Sequence, residues 1–126
     1  MSFMHTGKQR SQKIKGVVKE SYFQSQVIML AKLHGWLVMH TRAVEIRPGV
    51  WKTPLTGHPG FPDLVLCHQR GRGLIFAELK ADKGRLSDSQ ELWLQAINEN
   101  GAEHHVWRPK DIDAISTRLA GKNKPA

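Results

Sequence analysis

Two short apolar runs joined by a glycine-bearing turn constrain this chain more than any other feature. The first is Gly60-Phe61-Pro62-Asp63-Leu64-Val65-Leu66-Cys67 and the second Leu74-Ile75-Phe76-Ala77-Glu78-Leu79-Lys80. Each carries the bulky and β-branched residues of a buried strand. Gln69-Arg70-Gly71-Arg72-Gly73 between them reads as a hairpin turn. A hairpin centred at or just before Gly71 sets Asp63 opposite Glu78 or Leu79. Glu78 and Lys80 are two residues apart, so their side chains leave the strand on one face. Two acids and a lysine therefore gather at one end of an apolar hairpin.

Neighbouring carboxylates repel, and burying them raises their pKa unless a cation is supplied. Lys80 or a divalent metal could be that cation. Hard oxygen donors without a cysteine pair favour Mg2+ or Mn2+ over zinc. A metal held by Asp63, Glu78 and the Leu79 backbone carbonyl would polarise a phosphodiester and acidify a water, with Lys80 orienting that water or stabilising the transition-state charge. The same residues could equally form a Glu78–Lys80 ion pair at a fraying strand end, with Asp63 capping a turn.

Charge bears on the choice. In 126 residues, 19 Lys and Arg face 11 Asp and Glu, a formal +8 that suits a polyanion, nucleic acid before an anionic membrane. A generically basic small protein would show the same balance. No run approaches the ~18 apolar residues of a membrane span, and the polar N-terminus is not expected to be a secretory signal. Cys67 is the one cysteine, which excludes a disulfide framework and a cysteine zinc site. It reads as a small core residue in a reducing, cytoplasmic setting.

The length suits a single domain. Residues 1–19, with Lys8, Arg10, Lys13, Lys15 and Lys19, read as a flexible basic arm, either a phosphate-seeking or a solubilising one. Residues 20–34 have helical periodicity through Phe23, Val27, Leu30, Ala31 and Leu33, with Glu20 and Gln24 one turn apart and Gly35 as the stop. Trp36–Thr41 reads as a first strand. Residues 42–60 are punctuated by Pro and Gly and read as a long irregular loop. Its Arg42, Arg47 and Lys52 beside Trp51 could meet a nucleic-acid backbone and an unstacked base, or Trp51 could pin the loop to the core. His58 in the same loop could contact phosphate, or be a hydrogen-bonded loop histidine.

After the hairpin comes a polar loop, Asp82-Lys83-Gly84-Arg85, whose Lys83 and Arg85 are further candidates for DNA contact. Ser87 and Gln90 form the capping box of a second helix with Leu92, Trp93, Ala96 and Ile97 as its apolar stripe. Glu103–Arg108 reads as a fourth strand, on which His104 and His105 alternate and so cannot share a metal. Pro109–Ala120 reads as a last helix with Ile112, Ile115 and Leu119 inward, and 121–126 as a flexible tail. The expected order is α-β-β-β-α-β-α: an α/β fold with a central mixed four-stranded sheet flanked by helices.

With Pro62-Asp63 and then Glu78-Leu79-Lys80, the chain resembles the PD-(D/E)XK nucleases, which share a restriction-endonuclease-like core. More narrowly it resembles the virus-type replication–repair nuclease (VRR-NUC) group. The likeness runs from Glu20 to about Leu119 and includes Gly35-Trp36, Gly60-Phe61-Pro62-Asp63-Leu64, Gly84-Arg85-Leu86-Ser87, Gln90 and Gly101. It implies one nuclease domain over 20–120, with Asp63 and Glu78 as metal ligands, Lys80 as the catalytic lysine, and Glu20 and Gln90 joining the site. The activity implied is Mg2+- or Mn2+-dependent DNA endonuclease action, selective for branched or Holliday-junction-like DNA and serving DNA repair. Stand-alone members are viral and bacterial and act as homodimers, since two symmetric cuts require two sites related by a twofold axis. No membrane or small-molecule substrate is implied. A nuclease or nickase indifferent to DNA structure, and a catalytically silent basic DNA-binding module, are the other readings.

Overall fold

The computed structural model describes residues 21–41, 44–52 and 55–121. The basic stretch 1–19, Glu20, Arg42 and the tail from 122 onwards lie outside them. Helix α1 covers 21–33 among the described residues, and β1 follows at Trp36–His40. Then come β2 (Val44–Arg47), β3 (Val50–Lys52), β4 (Leu64–His68) and β5 (Leu74–Leu79). Helix α2 (Asp88–Glu99), β6 (Glu103–Trp107), a 3-10 turn at Pro109–Asp111 and α3 (Ile112–Leu119) complete the fold.

Four strands form one mixed sheet in the order β1-β4-β5-β6. The β1–β4 and β4–β5 pairs are antiparallel, and β5–β6 is parallel, as the α2 crossover between them demands. One face of the sheet packs Leu64, Leu66, Ile75, Ala77 and Leu79 against Phe23, Val27 and Ala31 of α1 and Ile115 and Leu119 of α3. On the opposite face Phe76 meets Phe61 edge-on, and Phe61 meets Trp93 of α2. The α/β architecture with its mixed four-stranded sheet is therefore the one expected.

Several local expectations need correction. Residues 42–60 are not wholly irregular, because β2 and β3 form a separate two-stranded antiparallel hairpin turned at Pro48-Gly49. The short Val44-Glu45-Ile46-Arg47 run alternates as a strand should, and the Pro and Gly on either side mask it. Cys67 is exposed rather than buried. It faces outward in register with Leu37 and Leu74, which are 58% and 46% exposed, so β4 buries one face only. Leu33 of α1 is exposed. The buried residues of α2 are Leu94 and Ile97, whereas Leu92 is exposed and Trp93 half-buried. Helix α1 otherwise buries the expected face through Phe23, Val27 and Ala31, whereas the buried face of α2 is turned from the one periodicity suggested. The last helix opens with a 3-10 turn at Pro109–Asp111, where the fixed φ of Pro109 suits a first helical position.

Candidate active site at the open end of the hairpin

The β4–β5 register pairs Leu64 with Ala77 and Cys67 with Leu74, so continuing it outward sets Asp63 against Glu78. Side chains take over where that ladder ends. The Asp63 amide donates to Glu78 Oε1 at 3.1 Å, and the Leu79 amide donates to Asp63 Oδ2 at 2.9 Å. The Asp63 carbonyl still accepts from the Thr41 amide at 3.0 Å, so β1 holds its backbone. Each acid is thus fixed by the other's strand, giving a preorganised carboxylate pair at one edge of the core.

Glu78 is buried, with only 1% of its surface exposed. Its carboxyl is pushed up to about 8, first by burial and then by the charge of Asp63 and a side-chain hydrogen bond with it; Lys80 offsets this in part. Lys80 Nζ lies 4.0 Å from Glu78 Oε2, beyond hydrogen-bond reach. The Glu78–Lys80 pair of the triplet is thus present as a long ion pair, and it offsets only part of the upward shift of Glu78. Asp63, Glu78 and Lys80 do come together, as the spacing suggested.

No cluster of three or more His, Cys, Asp or Glu side chains capable of holding a metal occurs among the described residues. Two carboxylates and the Leu79 carbonyl still suit Mg2+ or Mn2+, which are commonly held by one or two carboxylates while keeping several waters. A buried glutamate beside a half-buried aspartate, relieved in part by one lysine, is a chemical setting that suits such a cation.

Beside Asp63 opens a cavity of about 710 Å3, reaching α1, the end of β1, the 55–61 segment and the start of α2. Gly60 makes this junction possible. At φ +92°, a Cβ there would sit 2.5 Å from the Ser89 carbonyl carbon, so any side chain would drive the segment off α2. Trp93 Nε1 anchors the same segment by donating to the His58 carbonyl at 3.3 Å. His58 and Gln90 both line the cavity. Gln90 Oε1 accepts from the Ser87 backbone amide at 2.9 Å while the Gln90 backbone amide donates to Ser87 Oγ, which completes the capping box. Gln90 thus serves the helix and faces the cavity at once.

Arg47, Trp51, Lys52, Lys83 and Arg85 are all exposed. Trp51, 61% exposed, does not pin its segment to the core, nor does it line the cavity. Glu20 and Arg42 lie outside the described residues. Arg108 was missed by the sequence reading. Its Nη1 donates to the Ala81 and Gly84 carbonyls at 2.6 and 2.7 Å, tying down the loop that follows Lys80. Its position just past β6 is the only hint, and that hint needs the parallel β5–β6 pairing to be read. His40 and Gln24, also on the cavity wall, carried no chemical signature of their own.

One protein-family model matches the chain: the VRR-NUC domain, over residues 49–111, half of the sequence and inclusive of Asp63, Glu78, Lys80 and Gln90. Neither the curated proteins nor the solved structures compared with the chain gave a match.

Proposed function

The chain belongs to the VRR-NUC family of PD-(D/E)XK-type nucleases, and from that membership and the hairpin-end geometry we propose a Mg2+- or Mn2+-dependent DNA endonuclease selective for branched DNA. One observation carries the metal-dependent reading. A fully buried glutamate is locked against an aspartate, and its long 4.0 Å ion pair with Lys80 offsets only part of the cost. Such an arrangement costs stability and is rewarded when the pair holds a cation against a phosphate.

In this proposal Asp63, Glu78 and the Leu79 carbonyl hold the metal. A bound Mg2+ or Mn2+ would supply Lewis acidity at the phosphodiester and bring the pKa of a water towards neutrality. Lys80 donates from Nζ to the scissile phosphate or the attacking water, stabilising charge as it develops. Arg108 keeps Lys80 in place by fixing the loop beyond it. Gln90 lies close enough to the cavity to contact the substrate, and Glu20 retains its proposed role as the first-helix acid. Arg42, Arg47, Trp51, Lys52, His58, Lys83 and Arg85 are assigned to DNA contact, in keeping with a net charge of +8.

A homodimer is part of the proposal, because paired symmetric cuts need two sites; a sedimentation mass near 14.3 kDa under assay conditions would count against it. Among the described residues no helix is long and apolar enough to cross a membrane; a cytoplasmic setting belongs to the proposal. The decisive test offers four-way, flap, nicked and linear duplex DNA with Mg2+, Mn2+ or EDTA. Metal-dependent cutting, fastest on branched DNA, is expected. DNA binding without metal-dependent cutting would overturn the nuclease reading, and equal rates on linear and branched DNA would remove the selectivity alone.

A further inference from the structure

The cavity beside Asp63 differs in chemistry from a surface that grips a DNA backbone. Its polar lining includes Gln24, Ser25, His40, Thr41, His58 and Gln90. Ile28, Leu55 and Phe61 supply apolar faces, and no lysine or arginine is among the described lining residues. Asp63 is the one carboxylate among the described lining residues. A phosphate backbone calls for cations. Neutral amides, hydroxyls and imidazoles beside apolar surface suit instead the edge and face of a nucleobase. At about 710 Å3 the cavity falls in the roughly 300–1,000 Å3 range of pockets that enclose a small organic molecule. One nucleotide fits that space and a stacked duplex does not.

We propose that this cavity receives a single unstacked nucleotide next to the scissile phosphate, so that the preferred DNA has an unpaired or easily unpaired nucleotide at its branch point. The inference rests on the nuclease reading, because Asp63 joins the cavity to the metal-holding pair. It sharpens branch selectivity into a physical requirement. Extracting a base from a duplex costs unpairing and unstacking, and the cost is least where the base is already unpaired. Flaps, bulges and gaps should therefore be better substrates than a fully paired four-way junction. Gln24 and Ser25, on the α1 wall of the cavity, become specificity-determining residues.

The test scans single abasic replacements along a flap substrate, measuring binding in Ca2+ without turnover, for the wild type and Ser25→Trp. Ser25 is exposed on α1, so an indole there fills the cavity without entering the core. One position is expected whose abasic replacement weakens wild-type binding by at least about fivefold, the loss of one stacked and hydrogen-bonded base. Ser25→Trp should be indifferent to that replacement while holding linear duplex as the wild type does. Gln24→Leu, which keeps the volume and removes the amide, provides the second variant and should lose part of the same sensitivity. If no position responds, or if both variants respond as the wild type does, the inference is overturned. Cutting with Mg2+ is scored separately on the unmodified flap: its absence would defeat the nuclease reading, whereas its presence without an abasic-sensitive position would defeat only this one.

Discussion

Two glutamates stand along the parallel pair β5–β6, Glu103 half-buried and Glu78 buried, and their surroundings could hardly differ more. Glu103, at the start of β6, receives Arg118 through Nε at 2.9 Å and Nη2 at 2.8 Å, and His105 Nε2 lies 2.8 Å away. Burial works to raise its pKa, yet these partners overcome it and hold the carboxyl below the ordinary range. Arg118 also donates to the Arg72 carbonyl and lies over the Trp36 ring, so the cluster ties α3 to the β4–β5 turn and to β1. Gly73 leaves room for it, since a Cβ there would sit 2.7 Å from Arg118 Nη2. Glu78, at the far end of β5, has an aspartate for its nearest partner and is driven up instead. Glu103 is paired on both oxygens and ties the fold together, whereas Glu78 keeps a raised pKa beside Lys80; in the proposed reading that second acid serves a metal.

The largest expected effect separates the two ends by activity. Asp63→Ala and Lys80→Ala should each lower kcat on branched DNA by on the order of 10^2–10^3 or more, with melting temperatures close to the wild type. At the other end, Arg118→Ala strands Glu103 without its main cation. Chemical denaturation should show a loss of about 3 kcal/mol, while metal affinity stays unchanged. A catalytic defect in folded Arg118→Ala larger than its stability loss explains would blur the contrast.

Acidity gives a smaller but sign-specific effect. Glu78 has a folded-state pKa above its unfolded value, so its proton favours the native state. That contribution is complete below about pH 4.5 and is lost as pH rises through about 8. Glu103 has the opposite sign: its contribution is present above the unfolded value and disappears as pH falls towards the depressed folded one. Thermal melts of the metal-free protein should therefore weaken between pH 5 and 8 for the wild type, and Glu78→Gln should flatten that slope. Smallest of all, Gln90→Ala should cost about 1 kcal/mol through the lost cap. Gln90→Glu keeps the capping box, so any activity it loses measures the catalytic share of that side chain.

The hairpin was legible in the sequence because two short apolar runs and a glycine turn between them fix the pairing locally. Asp63 fell opposite Glu78 for that reason, and the mixed sheet followed from the order of the runs. Cys67 was misread because a four-residue apolar run looks the same whether one face of a strand is covered or both. The β2–β3 hairpin was lost among prolines and glycines that also mark loops. At the site, Lys80 and the two acids announced themselves by spacing and charge. The Arg108 anchor and the Glu103–Arg118 pair did not, since each joins residues that become neighbours only after β6 docks beside β5. Gln90 carried a local cap signature that hid its place on the cavity wall.

Direct titration of Mn2+ tests the central contrast without relying on turnover. The wild type and Glu103→Gln are expected to bind the ion alike, while Asp63→Asn and Glu78→Gln lose that site. Undiminished binding in the Asp63 and Glu78 variants, or a loss confined to Glu103→Gln, would contradict the assignment of the hairpin end as the metal-holding site.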